Sequence, residues 1–357
     1  MKSRQHIITG LDIGSSKISA VAARIERSGE LSILTQATCP SVGVSRGSIT
    51  DLSKAAGCVG KALSKINKNI SQGPGEIYAN ISGSSLKGTV SKGMIPISLR
   101  GREITRHDMS KCVNAGSTIN LPFERDVVHR IVHNFSVDDG SVVSSPLGLY
   151  ASRLYCEVYI ITADTNHIQN IYKCVSLAGY DVNEVVLSGI ADGFSLLDEK
   201  EKEDGALIID MGDSLTEAYI FRNGTLHDFE IIPMGAREVK GELMGNFELN
   251  AALDKISERT KAYTASGGKI SSVVITGGLA FTDGIAEIVE SKIPYPVKMG
   301  AATEIKGDIS SIDSVRLTTA IGLARYAHQK HIYHVKEALN PVRNVYSKLT
   351  NLLNDYF

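Results

Sequence analysis

The chain has 357 residues, which suits two domains or one two-lobed fold at about 100–200 residues per domain. Its formal net charge is −1, with 43% hydrophobic and 22% charged residues and no Trp, so it has no global basic field or indole stacking surface for nucleic acid. Cys39, Cys58, Cys112, Cys156 and Cys174 make no C-x-x-C pair, and no apolar run approaches the ~20 residues that span a bilayer.

These features lead us to expect reduced thiols, an intracellular protein and at most peripheral membrane contact. The early run "HIITGLDI" is too short and too interrupted for a signal peptide. Residues 1–37 read as two or three strands. Within them, "GLDIGSSKISA" (10–20) breaks strand sequence with an acid, a glycine and two serines. Residues 50–70 place Leu52, Ala55, Ala56, Val59, Leu63 and Ile66 at helical spacing, with Asp51 or Thr50 as the cap. "EIYANIS" (76–82) is a strand.

Residues 83–162 change texture, being rich in Gly, Ser and Lys with short strands, and read as a small inserted α/β module. Inside it, Thr105 followed by Asp108 has the form of a capping box. Residues 165–181 predict a helix ending at Gly179, then a strand in "VNEVVLSG", then a helix over 189–202. The charged run "DEKEKED" (198–204) reads as a solvated helix end.

"ALIIDMGDSLTEAYIFRNG" (206–224) repeats the opening device: apolar strand, Asp-x-Gly, small polar residues, second strand. A third stretch, "SVVITGGLAFTDGI" (272–285), is strand, Gly-Gly, helix. One such hairpin is most often a structural turn. Two matched copies and the Gly-Gly turn, in that order, favour a joint use. Glycine lets backbone N–H groups approach phosphate oxygens, hydroxyls add donors, and each Asp can hold Mg²⁺ through water. Two hairpins facing across a cleft would clamp a triphosphate.

This order of motifs resembles the actin/Hsp70/sugar-kinase ATPase superfamily, with its two phosphate motifs and adenosine motif. Gly189, Ala191 and Gly193, and Ala320, Gly322 and Ala324, put small residues on two helices, as for the close crossing at which that superfamily hinges its lobes. The position of the insert resembles FtsA, the bacterial cell-division actin with its 1C subdomain. So do "ISGSSLKGTVSKGMIPI", "VVHRIVHNFSVDDG", "SSPLGLYASRLYCEVYIITA" and "LLDEKEKEDGALIIDMGDSLTEAYIFRNG".

The resemblance implies an α/β, two-lobed actin/Hsp70-like ATPase fold with an inserted 1C-type subdomain and a C-terminal amphipathic helix. Lobe 1 would take residues 1–82, 163–203 and 314–330, and the insert 83–162. Lobe 2 would take 204–240 and 268–313, with 241–267 a shortened 2B-like segment and 331–341 a linker. Asp12 and Asp210 would face Mg²⁺ through water. Gly14, Ser15, Ser16, Gly212, Ser214 and Thr216 would contact the phosphates of ATP, with Lys17 supplying charge. Gly277, Gly278 and Leu279 would line the nucleoside side. The family's "GGxxIT" turn reads "GAREVK", which assigns Gly235 to the site and puts Ala236 and Lys240 where Gly and Thr are usual. In "SERTKAY", Glu258 and Lys261 stand either on the family's nucleoside helix or on a remnant of a later one. No dedicated general base stands out; Asp210 could orient water through the metal, and slow turnover or none fits equally.

"VRNVYSKLTNLLNDYF" (342–357) sets Val342, Val345, Tyr346, Leu349, Leu352, Leu353, Tyr356 and Phe357 on one helical stripe after Pro341. Such a helix lies in a membrane interface or docks on the protein's own core or on a neighbour. The FtsA resemblance favours the membrane, with Val345 to Phe357 as contacts. It further implies a filament of the chain with itself, FtsZ as partner, downstream division proteins on the 1C-like module, and the cytoplasmic face of the cell membrane at the division site. The rivals are a small-molecule kinase of the same superfamily, a scaffold with another membrane partner, and a degenerate scaffold without nucleotide. His129 and His133, and His328, His331 and His334, lack the companions of a metal site.

Overall fold

In a computed structural model the described residues are 6–143, 145–239, 243, 245–303, 306–307 and 310–338, with the side chains of 311 and 333–338 left aside. The expected helix over 342–357 and its membrane contacts lie outside them. The chain divides into two compact units. One is Met1–Ser85 with Asn166–His328; the other is Leu86–Thr165 with the described residues from Gln329.

The larger unit holds two sheets, one per lobe, built to one plan. In lobe 1 the strands Leu31–Pro40, Lys17–Ile25 and His6–Ile13 form an antiparallel meander, and Glu76–Ile81 and Glu184–Leu187 continue it in parallel. In lobe 2 Thr225–Ile232, Thr216–Arg222 and Ala206–Met211 form the meander, and Ser272–Thr276 and Val297–Met299 continue it. Parallel neighbours require a crossover, usually a helix. Leu52–Asn69 serves in lobe 1, buries Ala55, Ala56, Val59, Leu63 and Ile66, and is capped by Asp51, which accepts from Lys54 N. Phe247–Ala265 holds the same topological place in lobe 2, where Leu249, Ala252, Leu253 and Ile256 enter the core. Among the described residues of 241–267 this crossover helix is the one regular element.

The stripes of small residues meet as the sequence suggests, with a division of labour. A Cβ on Gly322, in the helix Thr318–Ala338, would stand 1.8 Å from the carbonyl oxygen of Ala191, in the helix Ser188–Leu196. A Cβ on Gly10 would stand 2.0 Å from Ala320 O. Gly189 and Gly193 face elsewhere, making room for the rings of Tyr219 and Phe221.

Two boundaries differ from expectation. The helix over 189–202 is two helices, because Leu197 is extended and Asp198 opens Glu199–Asp204 with its own capping box to Glu201. The helix from Thr318 runs to Ala338, well into the stretch expected as linker, since no Gly or Pro stops it before Pro341.

The smaller unit is a four-stranded antiparallel sheet, in the order Ser141–Val143, Arg125–Val137, Arg153–Asp164, Lys87–Pro96. The helix Arg106–Ser117 packs on it, and Val113, Cys112, Phe135, Leu154, Val158 and Ile160 are central to its core. The capping box is present, and Arg102 forks onto both Asp108 oxygens at 2.7 Å. Those hydrogen bonds hold the Asp108 carboxyl well below its usual range.

Two outcomes follow. Gly322→Ala gains about 1 kcal/mol of helix propensity, but the clash with Ala191 outweighs it. A net loss of about 2 kcal/mol or more is expected in denaturant unfolding. Asp108→Asn should cost about 1–3 kcal/mol at pH 7. Because the folded-state carboxyl titrates below its unfolded value, that difference is present above pH ~4 and fades as pH falls further; urea melts of both proteins at pH 7 and 3 check it.

Candidate functional site

The two Asp-x-Gly hairpins are the same turn. Gly14 N–H donates to Lys17 O at 3.1 Å, and Gly212 N–H donates to Leu215 O at 2.8 Å. They occupy equivalent places in the two meanders and face one cleft of about 1030 Å³ in the larger unit. Its lining brings together Asp12, Gly14, Ser15, Ser16, Lys17, Asp210, Gly212, Ser214, Gly277 and Gly278. The hairpins touch: Ser214 Oγ donates to Ser15 Oγ at 2.8 Å and accepts from Arg46 N at 3.0 Å. Gly277 has φ +87°, and a Cβ there would stand 2.3 Å from Asp210 Oδ1. Only glycine lets this turn lie against the carboxylate.

Three expected contacts take other roles. Thr216 is buried and its hydroxyl donates to Met234 O at 2.9 Å. Strand alternation explains this, since Thr216 shares the face of Ala218 and Ile220, which enter the lobe 2 core. Leu279 is buried in the same core. Gly235 supports the hairpin from behind: a Cβ there would stand 2.4 Å from Ser214 N, and Ala236 N–H donates to Gly212 O at 2.9 Å. Glu258 and Lys261 are exposed on Phe247–Ala265 and are not among the cleft's lining residues.

Lys17 donates to Arg316 O, so its charge lies at the cleft wall opposite lobe 2. Two lining residues escaped the sequence reading. Asn80 donates to Asp12 Oδ1 at 3.0 Å and accepts from Ile13 N at 2.7 Å, which fixes the first carboxylate. Glu217 faces the cleft where Thr216 does not, and accepts from Ser82 Oγ at 2.8 Å and Tyr219 OH at 2.7 Å. Alternation along "TEAYIFR" was the signal that could have found it. A fourth acid, Asp192, is fully buried; Thr319 donates to its Oδ1 at 2.8 Å, and its Oδ2 has no hydrogen-bond partner among the described residues.

Burial raises the Asp12 carboxyl to about 6 against the pull of Lys17 and Asn80. Burial, then the charges of Glu217 and Asp12, raise Asp210 to about 7. Burial and the Asp210 charge raise Asp192 well above its ordinary value, and burial raises Glu217. The cleft thus gathers negative charge faster than the chain neutralises it. Among the described residues no group of three or more His, Cys, Asp or Glu is placed to hold a metal directly. A hydrated divalent cation carried by phosphates fits this donor set, because magnesium keeps several of its waters. His129 and His133 lie on the strand Arg125–Val137, where the His133 ring stacks on Tyr159 at 5.2 Å.

The family model for the SHS2 domain inserted in FtsA matches residues 83–162, the segment read as an insert. A cell division protein FtsA of Borreliella burgdorferi is 26% identical over 406 aligned positions, covering 99% of this chain and 98% of that protein. The Escherichia coli K12 cell division protein FtsA is 23% identical, covering 91% of each.

This chain resembles the FtsA proteins over nearly its whole length.

The 406 positions exceed the 357 residues of the chain, so the Borreliella relative carries residues that are missing here. Among solved structures, a chain of the PilM–PilN type IV pilus biogenesis complex superposes with TM-score 0.64 at 13% identity, covering 89% of this chain and 97% of that one. The ethanolamine utilization protein EutJ of Carboxydothermus hydrogenoformans superposes at 0.50 with 11% identity, covering 91% and 90%. The fold is the two-lobed, actin-like ATPase fold, with the FtsA-type domain inserted in it.

The raised acids carry a stability signature. A carboxyl whose folded value lies above its unfolded value of about 4 destabilises the fold above the folded value, and that penalty is relieved as pH falls. Without nucleotide, unfolding should therefore become harder as pH drops from about 8 to 5. Asp210→Asn should raise stability at pH 8 by about 1–2 kcal/mol and flatten the slope, read by thermal melting across pH.

Proposed function

We propose that this chain is an ATP-binding FtsA-family protein that polymerises and tethers an FtsZ ring to the cytoplasmic face of the cell membrane at the division site. The observation that carries the nucleotide part is the matched pair of hairpins facing one cleft, with Gly277 pressed against Asp210. Bound magnesium would supply positive charge between Asp12 and Asp210. The residues of the chain do the rest. Gly14, Ser15, Ser16, Gly212 and Ser214 offer backbone and hydroxyl donors to phosphates, and Lys17 adds a cation at the wall. Asn80 fixes Asp12, and Glu217 crowds Asp210 so that charge from a metal is welcome there. Asp210 is the group to hold a proton or orient water, which supports at most slow turnover.

The tethering part rests on the apolar stripe Val345, Tyr346, Leu349, Leu352, Leu353, Tyr356 and Phe357 and on the family. The insert is the surface for filament contacts and for downstream division proteins. FtsZ would have the lobe 2 crossover helix to dock against where the family carries a larger subdomain.

Co-sedimentation with liposomes tests the whole reading. FtsZ should pellet with vesicles when the full chain is present and stay in solution when the chain is cut after Pro341. If the full chain pellets alone, FtsZ is not its partner. If the full chain stays in solution, the membrane reading fails. Asp12→Ala should abolish binding of a fluorescent ATP analogue while leaving vesicle binding intact.

A further inference from the structure

The turn after the strand Thr225–Ile232 is tied to the second phosphate hairpin by its backbone. Ala236 N–H donates to Gly212 O at 2.9 Å, and Arg237 N–H donates to Asp213 O at 3.0 Å. Gly235 packs too closely on Ser214 to accept a Cβ. The Arg237 backbone is therefore fixed against the hairpin while its side chain is 52% exposed. That side chain reaches the other lobe: Nη2 donates to Ser15 O at 3.3 Å. Its Nε lies 2.5 Å from Asp213 Oδ2, yet that oxygen is buried and receives no aligned hydrogen bond. The contact is a close ion pair, and among the described residues no forked pair of hydrogen bonds joins the two groups, the geometry that makes arginine–carboxylate pairs rigid.

The surroundings give this cation a use. Asp12, Asp210, Asp213 and Glu217 all line the cleft, and Lys17 is turned toward Arg316 O. Arg237 is not itself a lining residue, but it contacts Ser15 and Asp213, one from each hairpin, which both line the cleft. A planar guanidinium suits a phosphate's oxygens, and a terminal phosphate offers more charge than an internal one.

We infer that Arg237 is a specificity residue that reads the terminal phosphate of a nucleoside triphosphate, leaving Asp213 for it and favouring triphosphate over diphosphate. This rests on the nucleotide reading above. The rival role is plain neutralisation of Asp213.

The test measures binding of fluorescent ATP and ADP analogues with magnesium at fixed salt. The proteins are wild type, Arg237→Gln, Arg237→Lys, Asp213→Asn and the double variant Asp213→Asn/Arg237→Gln. Thermal melting confirms that each is folded; Arg237 is exposed enough for its loss to leave the fold intact. Arg237→Gln should weaken the triphosphate roughly tenfold or more and the diphosphate less than about threefold, as expected for a lost charge-assisted contact. Arg237→Lys should keep part of the preference, and the double variant should stay as poor for triphosphate as Arg237→Gln. Equal weakening of both nucleotides, or full recovery in the double variant, overturns the inference and leaves the nucleotide reading standing. If wild type binds neither nucleotide, that reading fails and the inference fails with it.

Discussion

Burial of carboxylates close to one another is the costliest feature of the larger unit. Asp12 and Asp210 come from opposite lobes, Glu217 from the strand beside Asp210, and Asp192 from the helix behind. Each is short of water and each raises the cost of charging its neighbours. The chain supplies partial relief through the Lys17 charge and through Asn80, Ser82, Tyr219 and Thr319, which donate hydrogen bonds but carry no charge. A protein that only needed to fold would have placed apolar residues here. Keeping the acids holds the cleft in a state that a cation would improve.

Close backbone approach is what brings those acids together. Gly10 and Gly322 let a strand and two helices meet without side chains between them. Gly277 lets the third turn close over Asp210. Because both meanders follow one plan, the same short turn recurs at the same place in each lobe, and the two turns meet at the Ser15–Ser214 hydroxyl contact. The symmetry of the lobes thus sets two matched turns face to face across one cleft.

The features legible in the sequence were those with a local signature. The Asp-x-Gly hairpins, the small-residue stripes and the Thr105–Asp108 box each need only a few adjacent residues to be recognised. Asp192 and Glu217 were not legible, because an acid inside an apolar helix or strand looks like a solvated position until the fold supplies its neighbours. Thr216 and Leu279 were misplaced for a related reason. Belonging to a motif in sequence does not say which face of the pleat a side chain occupies. Gly235 was found in the right place but supports the hairpin from behind.

Lys87 faces Thr162 across the antiparallel ladder of the insert, near the points where the chain enters and leaves it. The two ends are therefore held together by the insert's own sheet. Loop-closure entropy depends on the span left open, so a module whose ends are already joined weighs on the parent fold like a short loop. With its own core as well, the insert has the makings of a module that could be lost, gained or exchanged over evolutionary time.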